Sequence, residues 1–217
     1  MKELRLRVEN KIRKRAVIRL RELSVGFVIL GASSWMGSAA LAYGDTNQAA
    51  SIDIENIFSP SGWMGDGEYG RKYIDFFGAD ASNPHSPPTS VKVVYRFGPA
   101  KWAGMYWLNW PDNWGEKPGN NYAGTNLSRL TFWARGETGN EMIEFKAGGI
   151  DNSSKQHRDS FRRTTGRVTL STDWKQYEID LSGADLSSVI GGFCWVASAD
   201  FNSTEAITFY VDDIALE

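Results

Sequence analysis

From Ser51 to its C-terminus, this 217-residue chain holds no stretch in which apolar residues keep a helical period for three turns. Short apolar or alternating runs recur instead between clusters of Gly, Pro, Asn and Asp, which is the pattern of an all-β chain. The runs predict strands over residues 52–58, 73–77, 90–97, 103–108, 130–135, 142–147, 167–170, 176–181, 192–196 and 207–214. That many short strands with turn signals between them fit a two-sheet antiparallel β-sandwich of the jelly-roll kind better than a meander or a repeat array.

Alternation along the strands assigns faces. Leu130, Phe132 and Ala134 share one side of their run, and Thr131, Trp133 and Arg135 share the other. Ile143, Phe145 and Ala147 are expected in the core, with Met142, Glu144 and Lys146 opposite, and Phe209 and Val211 inward, with Tyr210 and Asp212 outward. The second faces mix aromatics with charges. Pyranose rings stack their flat C–H faces on Trp or Tyr, while their hydroxyls seek Arg, Glu, Asp, Gln or Asn. Trp133, Arg135, Glu144 and Tyr210 are therefore candidate ligand-binding residues on one groove. The competing reading of the same positions is that the aromatics lie under loops and that Arg135 and Glu144 form an ordinary cross-strand pair.

Residues 102–122, WAGMYWLNWPDNWGEKPGNNY, hold four Trp and two Tyr among Pro and Gly. So many rings cannot all enter one core, and exposed aromatics mark interaction sites. Tyr106, Trp107, Trp110 and Trp114 are the candidates here, set against the reading that this loop folds its indoles over the sandwich edge as a lid.

Charge is unevenly placed. Nine of the 24 basic side chains and three of the 26 acidic ones lie between Met1 and Ser24, which leaves 15 against 23 in the rest, a net of −8. An acidic body argues against nucleic acid or an anionic membrane surface as the ligand. The basic head, the uncharged stretch 25–42 and its closing Ala40-Leu41-Ala42 read as an export signal over residues 1–42, cleaved after Ala42 or kept as an anchor. Residues 43–50 read as a linker and 51–217 as one domain, placed outside the cell, in a periplasm or at the cell surface. With Cys194 alone, no internal disulfide forms, and its apolar strand makes it a small core residue rather than a nucleophile.

Catalytic chemistry is sparse. His85 and His157 stand apart from any second His or Cys at ligand spacing, no G-x-S-x-G occurs, and residues 155–163 (KQHRDSFRR) read as a solvated basic loop. Glu141 and Glu144 are three apart, so on a continuous strand they face opposite sides, while Glu144 with Asp159 stays open as a carboxylate pair. Asp53, Glu55, Asp212 and Asp213 lie on the first and last strands, where a structural calcium ion would find oxygen ligands if these strands pair; the alternative is four solvent-facing acids.

Residues 130–136 (LTFWARG), 144–149 (EFKAGG), 174–182 (WKQYEIDLS), 185–193 (DLSSVIGGF) and 209–214 (FYVDDI) resemble, in order, the strands of jelly-roll carbohydrate-binding modules with a galactose-binding-like fold. A weaker likeness reaches Trp63-Met64-Gly65-Asp66-Gly67. The resemblance implies a module that binds polysaccharide or oligosaccharide on a concave sheet and often holds a calcium ion, to which Asp212 and Asp213, with Asp53 or Glu55, would contribute. A monomer that acts by binding rather than catalysis is the expectation. A polysaccharide-active hydrolase or lyase, or a cell-surface adhesion or structural domain, are the alternatives, because fold does not dictate function.

Overall fold

The computed structural model describes residues 51–217, so the expected export signal and linker lie outside the described residues. Eleven strands form two antiparallel sheets. They are β1 (Ile52–Asp53), β2 (Ser59–Gly65), β3 (Ile74–Asp80), β4 (Ser90–Arg96), β5 (Trp102–Leu108), β6 (Arg129–Gly136), β7 (Met142–Gly148), β8 (Arg162–Thr169), β9 (Lys175–Asp180), β10 (Gly191–Ser198) and β11 (Ala206–Leu216). The six-stranded sheet runs β3-β4-β11-β6-β9, with β1 added against the end of β11. The five-stranded sheet runs β2-β5-β10-β7-β8. The all-β sandwich expected from periodicity is thus the fold.

The inward faces follow the alternation. Leu130, Phe132, Ala134, Ile143, Phe145, Ala147, Phe209 and Val211 are each wholly buried. Aromatic rings join the two layers: Trp195 of β10 meets Phe209 of β11 edge-on at 5.2 Å, and Phe132 of β6 meets Phe145 of β7 at 4.5 Å. Each fully buried ring of this size contributes on the order of 2 kcal/mol from its removal from water. Among the described residues no helix is long and apolar enough to cross a membrane.

The ends of the chain depart from the expected strands for local reasons. The expected strand 52–58 stops at Asp53, whose side chain accepts from Asn56 N at 3.2 Å and caps the one-turn helix α1 (Ile54–Ile57). The strand that follows, β2, is missing from the sequence reading because Pro60, Gly62 and Gly65 look like loop residues. It is an edge strand, where a proline interrupts no ladder between two neighbours. At the opposite edge, β8 begins at Arg162, inside the run read as a solvated loop, and charged side chains are tolerated there because the edge faces water.

A buried carboxylate fastens one corner. Asp66 opens a 3-10 segment (Asp66–Lys72) after β2 and is wholly buried. It accepts from Tyr95 Oη at 2.6 Å, Gly98 N at 2.8 Å and Ala100 N at 2.9 Å, which ties the β4–β5 turn to β2. Gly98 is required at this contact, since a Cβ there would sit 2.6 Å from Asp66 Oδ1.

Candidate functional site

The residues predicted to share one groove lie on two different sheets. Trp133, Arg135 and Tyr210 belong to the outer face of the six-stranded sheet, whereas Glu144 belongs to β7 in the five-stranded one. The alternation was right about each strand, but it could not say which strands are neighbours.

The middle of the six-stranded outer face is covered, while Phe77 on the edge strand β3 is 42% exposed. The segment between β3 and β4 crosses it and lays His85 flat on Trp133, ring centroids 3.7 Å apart. Trp174 Nε1 donates to Asn83 O at 3.1 Å and closes the strap from the other side. Arg135, 8% exposed, stacks over the Tyr210 ring at 3.7 Å and near Trp174 at 5.5 Å, and Tyr210 Oη donates to Glu137 at 2.6 Å. Lys92 lies 5.2 Å from the Tyr210 centroid, and its hydrogen bond to that phenol holds its ammonium above its ordinary range. These rings have protein partners on their faces, so the reading in which the aromatics lie under a loop is the one the structure favours here.

Three of the four acids proposed for calcium bond neighbouring groups. Asp53 caps α1. Asp213, at φ +49° in the left-handed region, accepts from His85 Nδ1 at 2.9 Å and from the Ser86 hydroxyl. Asp212 accepts from Ser86 N at 3.0 Å, and Glu55 is buried on α1. Among the described residues no three His, Cys, Asp or Glu side chains form a group able to hold a metal ion.

The outer face of the five-stranded sheet is arranged differently, as two halves. In one half Tyr106, Leu108, Ile150, Ile190 and Cys194 form a small second apolar cluster, roofed by Trp114, whose ring stands edge-on to Tyr106 at 6.1 Å. Asn113 shapes the roof: its Oδ1 accepts from Gly115 N and Lys117 N, and its Nδ2 donates to Asn109 Oδ1 and Lys117 O. An ion pair between Lys155 and Glu116 joins this loop to the one before β8. Burial pushes the Cys194 thiol and the Tyr106 phenol up, which keeps both neutral.

Asp159 ties the loop before β8 to the start of β10. Its carboxylate accepts from Ile150 N at 2.8 Å, Gly191 N at 3.2 Å and Ile190 N. Burial outweighs these donors and raises its carboxyl to about 6. Both oxygens of Asp159 are given to backbone amides.

The other half of this face is open. A row of residues crosses all five strands by direct pairing: Met64 of β2, Gly104 of β5, Val196 of β10, Glu144 of β7 and Arg167 of β8. Trp102 shares the outward side of β5 with Gly104 and Tyr106 and is 39% exposed. Gly104 sits beneath the Met64 side chain, since a Cβ there would lie 2.7 Å from Met64 Cε. The result is a low apolar strip made by Trp102, Met64 and Val196. Beside it runs a polar strip in which Thr164 Oγ1 donates to Glu144 Oε1 at 2.8 Å and Lys146 Nζ lies 3.4 Å from Glu144 Oε2.

Of the aromatics expected near a loop surface, Trp110 is 49% exposed in the loop after β5, with Lys117 Nζ 4.7 Å above its ring. Trp114 and Tyr106 face the five-stranded outer side as a packed pair. Trp107 corrects the expectation: it points between the sheets, 1% exposed, against Phe193 at 5.3 Å, and is unavailable to any ligand. The sequence reading missed Met64, Trp102, Val196 and Arg167. For Trp102 the signal was present, because its even spacing from Gly104 and Tyr106 puts all three on one face.

With this geometry in view, likeness to solved structures is informative. Two crystal structures of family 30 carbohydrate-binding modules superpose with a TM-score of 0.51 each, at 17% and 18% identity. They align with 77% and 78% of this chain and with 98% and 88% of their own. The fold is that of the jelly-roll carbohydrate-binding modules. A family 11 module of a cellulosomal cellulase from Clostridium thermocellum also matches, at 12% identity over 77% of this chain and 94% of its own, with a TM-score of 0.49. No protein-family model matches the chain, and no curated protein matches it in sequence.

Proposed function

We propose that this protein is an exported, monomeric, non-catalytic glycan-binding module whose ligand lies on the open half of the five-stranded outer face. The observation that carries the reading is the pairing of an apolar strip, the 39% exposed Trp102 beside the partly buried Met64 and Val196, with a hydroxyl- and charge-bearing strip one strand away. An apolar surface beside fixed donors and acceptors suits a sugar chain, which offers C–H faces and hydroxyls together. The fold shared with carbohydrate-binding modules supports the same reading. A non-catalytic role is supported by the commitments of the carboxylates nearby: Glu144 is held by Thr164 and Lys146, and Asp159 by three amides.

The test is electrophoresis of the full chain through gels containing neutral and acidic polysaccharides, with released reducing sugar assayed alongside. Retardation without sugar release, weakened about tenfold in Trp102→Ala and unchanged in Trp133→Ala, is the expected result. Sugar release would point to an enzyme, and absence of retardation on every polymer to an adhesion or structural role.

A further inference from the structure

Cationic side chains gather on one arm of an otherwise acidic domain. Between Glu144 and Arg167 lie six of the 15 basic residues of positions 51–217 (Lys146, Lys155, Arg158, Arg162, Arg163 and Arg167), against three acids. The remainder of that span holds nine basic and 19 acidic residues, so this arm carries +3 and the rest −10.

Three of the six face the open sheet or its margin. Lys146 pairs in register with Thr164, Arg162 with Gly148, and Arg167 with Glu144. Arg162 leans back over the sheet, because a Cβ on Gly149 would meet both its Nε and Tyr106 Oη, and its other end is paired with Asp151. Lys146 is shared with Glu144. Arg167 differs from these two. Its guanidinium carbon lies over the Phe201 ring, 4.5 Å from the centroid, among the described residues no carboxylate forms an ion pair with it, and it is exposed at the end of the row that leads to Trp102 and Met64.

A guanidinium whose carbon rests over a ring is held by that contact while its N–H edges stay able to donate, and such an edge can receive a carboxylate or a sulfate ester with two parallel hydrogen bonds. Three strand spacings, about 14 Å, separate β8 from β5, enough for a chain of more than one sugar to touch Arg167 and Trp102 together. A free anion would meet only the basic arm, and a neutral glycan would use only the apolar strip.

Resting on the glycan-binding reading above, we infer that the natural ligand is an acidic glycan, whose rings lie on Trp102, Met64 and Val196 and whose anionic groups are received by Arg167 with Lys146. The acidic remainder of the domain repels polyanions elsewhere and confines such a chain to this arm.

Gel retardation of the full chain distinguishes the possibilities, using polygalacturonate, dextran sulfate, neutral dextran and β-glucan, and polyglutamate as a polyanion without sugar rings. Retention by polygalacturonate or dextran sulfate well above the neutral polymers is expected, and the stronger of the two identifies the anionic group. It should fall about tenfold in Arg167→Gln, fall less in Arg167→Lys, fall in Trp102→Ala, and decline with added salt. Equal retention on neutral β-glucan, lost in Trp102→Ala but unchanged in Arg167→Gln, would overturn the acidic ligand and leave the glycan module standing. Equal retention on polyglutamate, insensitive to Trp102→Ala, would reduce the arm to an ion exchanger and overturn the inference. Retention by none of the polymers overturns both readings.

Discussion

His85 lies on Trp133 with ring centroids 3.7 Å apart and planes 15° from parallel, while its Nδ1 reaches Asp213 Oδ2 at 2.9 Å. One imidazole thus joins the β3–β4 strap to the middle of β6 and to the left-handed turn near the end of β11. This contact occupies the face of the tryptophan that alternation had singled out.

The strap contact has a measurable stability. His85→Ala removes a stacked pair and a hydrogen bond to a carboxylate, with an expected loss of about 1–3 kcal/mol. For a domain of this size that lowers Tm by several degrees, read by calorimetry. Glycan retention should be unchanged, since the strap covers the other sheet.

Asp66 is a costly carboxylate to remove. Asp66→Ala would leave the Tyr95 hydroxyl and the amides of Gly98 and Ala100 buried without their acceptor. The expected destabilisation is about 3–5 kcal/mol, a Tm drop on the order of 10 °C. A loss below 1 kcal/mol in denaturant titration would contradict the role assigned to it.

Asp159 makes stability depend on pH in the direction opposite to a paired carboxylate. Its folded value of about 6 lies above its ordinary 3.8, so the folded state holds this proton more tightly than the unfolded state. The stabilisation is therefore complete below about pH 4 and is lost as pH rises to about 6. In Asp159→Asn this dependence is absent, and the stability difference between parent and variant should change by about 2 kcal/mol across that window. Parallel denaturation curves at pH 4, 5, 6 and 7 measure it.

Much of the fold was legible in the chain. Period-two alternation in 130–135 and 142–147 named core residues that are wholly buried, since the direction of a side chain from a strand is a local property of the backbone. The site was less legible. Trp107 and Tyr106 are adjacent on one strand, and sequence spacing alone treats both as candidates. Only the position of the second sheet makes Trp107 a core ring and Tyr106 an outer one.

Glu144 and Trp133 show the same limit. Each was placed correctly on the outward side of its strand, yet β7 pairs with β10 and β8 while β6 pairs with β11 and β9. Strand direction, alternation and turn chemistry are set by neighbours a few residues away and can be read along the chain. Which strands share a sheet, which loop lies over a face and which tryptophan stays open depend on contacts between distant segments, and those were decided only when the two sheets closed on one core.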